Sequence, residues 1–309
     1  MSDINHIDKF PRVTLQQASS QPKLDFVLPG LLAGSVGLVV GAGAVGKSYL
    51  ALHIGLSVAT GRSVSQGLWE PSTIGNVALI FGEDQPDIIQ ERLYWLRKME
   101  GITDEEAELI DQRLEVISTS GFDMRIVKKS RDGIVDGPFI RALLELAKNK
   151  RLIIIDPLIF LSDLDENDNG AATQLMQTLQ RIARETGTTI IVLHHTSKGG
   201  SGERDDWTAA RGASAFTTAC RWQVNLSLPN SKECDKYCID DDMRNYWIRV
   251  AIVKANYGAP SKPSWLFRMD GGTLKAREIF KLGRSLSKKK KHQTKDEGVD
   301  VDDFFGEPI

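Results

Sequence analysis

The segment Gly41-Ala42-Gly43-Ala44-Val45-Gly46-Lys47-Ser48 constrains this chain more than any other feature. It fits the pattern G-x-x-x-x-G-K-[ST], in which the backbone N–H groups of a glycine-rich turn converge on phosphate oxygens. The pattern has that meaning only between a strand and a helix. Residues 36–40 form an apolar run leading in, and an amphipathic helix is predicted from Lys47. The helix N-terminus adds partial positive charge to the cradle. Lys47 is expected to reach the β- and γ-phosphates of a nucleotide such as ATP, and Ser48 to offer its hydroxyl oxygen to Mg²⁺. A glycine-rich turn carrying Gly-Lys-Ser without a ligand is the plain alternative, and the flanking strand and helix argue against it.

The rest of the chain has the pattern such a loop needs. Apolar runs at 36–40, 77–81, 114–117, 152–155 and 189–193 alternate with helix-like spacing at 49–59, 88–99, 139–148 and 175–186. Strands alternating with helices predict βαβ units, an α/β fold and a mainly parallel sheet buried on both faces. Residues 222–228, 246–253 and 265–268 read as strands with no helices between them, an antiparallel extension of that sheet. Residues 1–24 read as a polar N-terminal arm, 25–282 as one ATPase-type domain, and 283–309 as a tail.

Composition excludes several classes. There are 39 Lys and Arg against 41 Asp and Glu, so this is no uniformly basic coat for nucleic acid, although local patches stay open. Residues 26–46 are uncharged over a membrane-span length, but six Gly and a Pro break them, and a strand plus glycine loop fits better. The N-terminus lacks the pattern of a signal peptide. The three cysteines, Cys220, Cys234 and Cys238, cannot frame a disulfide fold or supply a zinc set. A reduced, cytoplasmic protein with no membrane partner is expected.

Carboxylates at strand ends complete the expected site. Asp156 closes the apolar run 152–155, where it would hold Mg²⁺ with Ser48. Pro157 follows it and cannot polarise water, so a base is needed elsewhere. Glu83, after the run 77–81, supplies one, because catalytic groups collect at the carboxyl ends of strands in open α/β sheets. The competing reading makes Glu83 or Asp84 a helix cap, with Asp84 the better cap of the two. A base on the strand after the loop's helix is the RecA-type arrangement. His195, at the end of the run 189–193, could sense the γ-phosphate or be an ordinary strand-end histidine. The glycine-rich stretch 196–212 carries Lys198, Arg204 and Arg211 and reads as a DNA-contacting loop or a solvated one; Asp205 and Asp206 weaken its charge. Arg221 and Lys254 stand beside predicted strands as cations for a neighbouring subunit's phosphate, or as surface ion pairs. Tyr49 joins the nucleotide-contacting set after Ser48, and Tyr257 could stack on adenine.

With these residues in place, the chain resembles the RepA-type hexameric replicative helicases of broad-host-range plasmids, a branch of the RecA-like ATPases. The matching segments include Asp25 to Pro29, Gly41 to Ser48, Glu83-Asp84, Ile155-Asp156, Leu193-His194-His195-Thr196-Ser197-Lys198-Gly199, Arg211 to Ser214, Arg221-Trp222, and Lys254-Ala255-Asn256-Tyr257-Gly258-Ala259-Pro260. Val253 stands where the family has Ser. The resemblance implies a homohexameric ring that moves on single-stranded DNA with ATP and unwinds forked duplex 5′ to 3′ for plasmid, phage or mobile-element replication. It also implies the roles given to Lys47, Glu83, Asp156, His195 and Arg221. A RecA-fold DNA-binding ATPase acting as a recombination mediator, or a switch without unwinding, is the alternative. The tail has no counterpart in the family: a basic cluster, Lys288 to Lys291, precedes an acidic end with Phe304 and Phe305, a shape suited to docking a replication protein.

Overall fold

A computed structural model describes residues 11–131, 133–165, 167–196, 214–258 and 261–279. Its centre is a nine-stranded sheet. The strands are β3 (Val36–Gly41), β4 (Val77–Phe81), β5 (Leu114–Ser118), β8 (Leu152–Asp156), β9 (Thr189–His195), β10 (Trp222–Ser227), β11 (Trp247–Ala255), β12 (Ser264–Arg268) and β13 (Leu274–Ala276). Their order is β13-β12-β11-β10-β3-β9-β8-β4-β5. From β10 to β5 every neighbour is parallel, and from β10 to β13 every neighbour is antiparallel. This is the RecA-like P-loop NTPase fold, with the antiparallel extension the sequence predicts. Two short strands, β1 (Phe26–Leu28) and β2 (Leu31–Leu32), pair ahead of β3, and β6 (Val127–Ser130) and β7 (Gly133–Asp136) make a separate hairpin.

The central strands read as unbroken apolar runs because both faces are covered. In β8, Leu152 and Ile154 enter one core, and Ile153 and Ile155 enter the other. The first core packs under α1 (Lys47–Thr60) and α2 (Pro86–Glu100), with α3 (Asp104–Asp111) at its margin. The second packs under α4 (Ile140–Ala147), α5 (Asn169–Thr186) and α6 (Ser214–Ala219).

Two expectations change. Helix α1 is not amphipathic: twelve of its residues are buried, from Lys47 round to Ala59. A helix apolar all round belongs inside a core, and α1 lies between the sheet, α2 and β13. A helix, α7 (Ser231–Tyr237), does interrupt the late strands, started by a capping box between Asn230 and Glu233. Among the described residues no helix is long and apolar enough to cross a membrane.

Candidate active site at the carboxyl edge of the parallel strands

Parallel pairing brings the ends of β3, β9, β8 and β4 to one edge. Gly41 pairs with His195, and Phe81 with Asp156. The loop leaving β3 is fixed by glycine where only glycine fits. Gly46 has φ of 106°, and a Cβ on Gly41 would come within 2.8 Å of Val45 and 3.0 Å of the Leu226 carbonyl. At Gly43 the space is open.

Lys47 is buried, and its Nζ donates to the carbonyls of Gly41 and Ala42, each at 2.9 Å. The ammonium thus occupies the mouth of the cradle. Burial pulls its pKa below the ordinary lysine value, while the charges of Asp156 and Glu83 pull it back up. His195 presents Nδ1 at 3.5 Å from that ammonium. Ser48 Oγ donates to Asp156 Oδ2 at 2.6 Å. Burial pushes the Asp156 carboxyl up to about 6, against the Ser48 hydroxyl and Lys47, which lower it; Glu83 and Asp84 raise it further. A hydroxyl oxygen and a desolvated carboxylate oxygen held together are hard donors of the kind Mg²⁺ takes. The open loop, the ammonium and this oxygen pair therefore fit a nucleotide with its metal. Among the described residues there is no cluster of three or more His, Cys, Asp or Glu, so any divalent ion here would rely on phosphate and water for its other ligands.

Glu83 lies just past the end of β4, exposed, two residues beyond the pairing of Phe81 with Asp156. The Gly82 N–H donates to the Asp156 carbonyl at 2.8 Å, which ties the two strand ends together. Asp84 does not cap α2. Gln85 occupies that position with Pro86 first in the helix, and Asp84 instead forms a two-pronged ion pair with Arg92, one bond at 2.9 Å. His194 turns to the other face of β9, buried against Phe216 with ring centroids 5.3 Å apart.

Tyr49 is corrected. Its ring is buried in the core, and its hydroxyl donates to the Gly271 carbonyl, so the side chain does not face a nucleotide. One residue along a helix turns the side chain about 100°, which carries Tyr49 away from the Ser48 side. Arg221 and Lys254 are not brought to this edge. Trp222 pairs with Gly37 and Gln223 with Lys254, so both cations flank the amino end of β3, roughly 13 Å along the strand from Gly41. Arg221 is exposed. Lys254 Nζ donates to the carbonyls of Thr217 and Thr218 at 2.7 and 3.2 Å, closing the end of α6. Tyr257 is exposed at that same far edge. Lys198, Arg204 and Arg211 lie outside the described residues.

One contact to the loop has no local sequence signal. Arg268, on β12, donates through Nη2 to the Ala44 carbonyl at 3.1 Å and through Nε to the Asn245 carbonyl at 3.4 Å. Ala44 has φ of 59°, a left-handed conformation that costs an alanine about 1 kcal/mol or more. The pairing depends on how β12 is aligned against β11, which no motif announces. Beside it, on the β10 flank of the loop, lies a cavity of about 770 Å³ lined by Ala44, Asn225, Asp242, Arg244, Tyr246 and Arg268 among others.

Comparison with known proteins adds two findings. The family described as AAA domain matches residues 7–201, more than half of the chain. A crystal structure of the RadB recombinase is similar over 82% of this chain and 93% of that chain, at 16% identity and a TM-score of 0.47.

Proposed function

Because this chain belongs to the AAA-domain family of P-loop ATPases, we propose that it binds ATP and Mg²⁺ at the carboxyl edge of its sheet and uses hydrolysis to unwind DNA as a ring of identical copies. The loop 41–48 and the N-terminus of α1 hold the phosphates, with Lys47 leaving its two carbonyls for phosphate oxygens. Ser48 and Asp156 hold the metal, which when bound neutralises charge on the phosphate oxygens. Glu83 orients the attacking water and takes its proton; His195, beside Lys47, responds to the terminal phosphate.

The observation that carries the ring is the division of the charged groups between two sheet edges. Lys47, Glu83 and Asp156 share one edge, while the exposed Arg221 stands at the other, too far to serve its own loop. An arginine so placed serves the site of a neighbouring copy, where it stabilises charge at the transferred phosphoryl group. DNA as the substrate follows from the resemblance to plasmid replicative helicases. A forked-duplex assay tests the reading. ATP-dependent strand separation by the wild type, lost in Lys47→Ala, is the expected result. DNA-stimulated hydrolysis without unwinding would replace it by a mediator-type ATPase, and hydrolysis indifferent to DNA would remove DNA from the account.

A further inference from the structure

The hairpin of β6 and β7 is held to the molecule on one side and open on the other. On the β6 side, Val127 bridges to Ser162, and the Lys129 N–H donates to Asp163 Oδ1 at 2.9 Å. Among the described residues no further strand pairs with β7, and all four of its residues are exposed. Alternate residues of such a strand turn their N–H and C=O groups away from the partner strand. Ile134 and Val135, in the middle of this edge, are 36% and 39% exposed. A strand edge with apolar side chains is a template for one more extended segment.

The surroundings of this edge are basic. Lys128, Lys129 and Arg131 are exposed on the hairpin itself. A cavity of about 540 Å³ lies beside it, where Lys128, Arg141 on α4 and Arg181 on α5 meet the apolar Pro138, Ile140 and Leu144. The one carboxylate in that lining, Asp136, stands 3.6 Å from Arg181. The segment that fits is therefore extended, acidic and apolar by turns. A polynucleotide would meet the cations but leave Ile134 and Val135 without an apolar partner.

This chain carries such a segment outside the described residues. Residues 299–305 read Val-Asp-Val-Asp-Asp-Phe-Phe. In extended form Val299 and Val301 fall on one face, and Asp300 and Asp302 on the other. The described chain stops at Ile279, just past β13. From β13 to β8, the strand that leads to the Ser162 bridge, is six strand spacings, about 29 Å. The residues 280–298 in between can span about 60 Å when extended. We propose that residues 299–305 add to β7 as a third strand, with their carboxylates towards Lys128, Arg141 and Arg181. Docking there covers an edge that would otherwise pair with a foreign chain. The proposal is independent of the nucleotide site and of the DNA-acting reading.

The test is amide hydrogen exchange of the full chain against the chain ending at residue 295. A segment that binds with a Kd of about 0.1 mM, tethered at an effective concentration of about 1 mM, is docked about nine-tenths of the time. Peptides covering 133–136 should therefore exchange roughly tenfold more slowly in the full chain. Excess synthetic peptide 296–309 should restore that protection to the shortened chain. Lys128→Glu with Arg141→Glu should abolish it in the full chain, and adding Asp300→Lys with Asp302→Lys should bring it back. Phe304→p-benzoylphenylalanine should cross-link within residues 127–144. Equal exchange at 133–136 with and without the tail, or cross-links elsewhere, overturns the proposal. Protection of the shortened chain that rises with its own concentration would assign the edge to a second copy, and protection by oligo(dT) but not by the peptide would assign it to nucleic acid; either overturns the proposal.

Discussion

Replacing Asp156 with Asn should make the ligand-free protein more stable and the nucleotide-bound protein less so. Burial raises the Asp156 carboxyl from 3.8 to about 6. Each tenfold change in acidity corresponds to about 1.4 kcal/mol, so the ionised carboxylate costs the fold about 3 kcal/mol at neutral pH. The sign follows from proton counting. The pKa is higher in the folded chain, so between about pH 4 and 6 the folded state holds more protons, and stability falls as pH rises through that window. Asn keeps the shape and an oxygen for the Ser48 hydroxyl but carries no charge. Urea unfolding at about pH 7.5 should therefore show Asp156→Asn ahead of wild type by up to about 3 kcal/mol, with the gap closing towards about pH 4. Added MgATP should reverse the order: at a hundredfold excess over Kd it stabilises wild type by about 2.7 kcal/mol, and the variant, lacking a metal oxygen, by much less. A variant no more stable at neutral pH, or a gap that does not change with pH, would refute the reasoning.

Glu83→Gln is expected to bind nucleotide like the wild type and to lose hydrolysis by at least a hundredfold, the low end of what a positioned base contributes; single-turnover measurements with radiolabelled ATP check it. Trp222 is fully buried and donates through Nε1 to the Pro29 carbonyl at 3.0 Å, so Trp222→Ala should cost about 3–5 kcal/mol in urea unfolding. Gly37→Ala places a Cβ 2.7 Å from the Trp222 ring, and should lower the unfolding midpoint by an amount equivalent to about 1–3 kcal/mol.

The central sheet is legible in the sequence because strands covered on both faces leave long apolar runs, and the phosphate loop because its glycines answer local backbone demands at 41 and 46. Asp156 and Glu83 are legible for the same reason: they end apolar runs, and parallel strands deliver their carboxyl ends to one place. What stays hidden depends on contacts distant in sequence. The burial of Tyr49 is decided by the turn at Gly271, more than two hundred residues away. Asp84 looks like a cap until Arg92, two turns along α2, takes both its oxygens. The far-edge position of Arg221 needs the register of β10 on β3. Helices α3 and α7 are short, yet both begin with a capping box, Thr103 with Glu106 and Asn230 with Glu233, a signal open to sequence inspection.

The central claim is that each site borrows a cation from a neighbouring copy. Arg221→Ala and Lys47→Ala proteins, each inactive alone, should be mixed over a range of ratios and assayed for DNA-stimulated ATP hydrolysis. Mixed rings contain interfaces where an intact Lys47 faces an intact Arg221, so activity should rise above the sum of the two and peak at intermediate ratios. Activity equal to that sum at every ratio would contradict the claim.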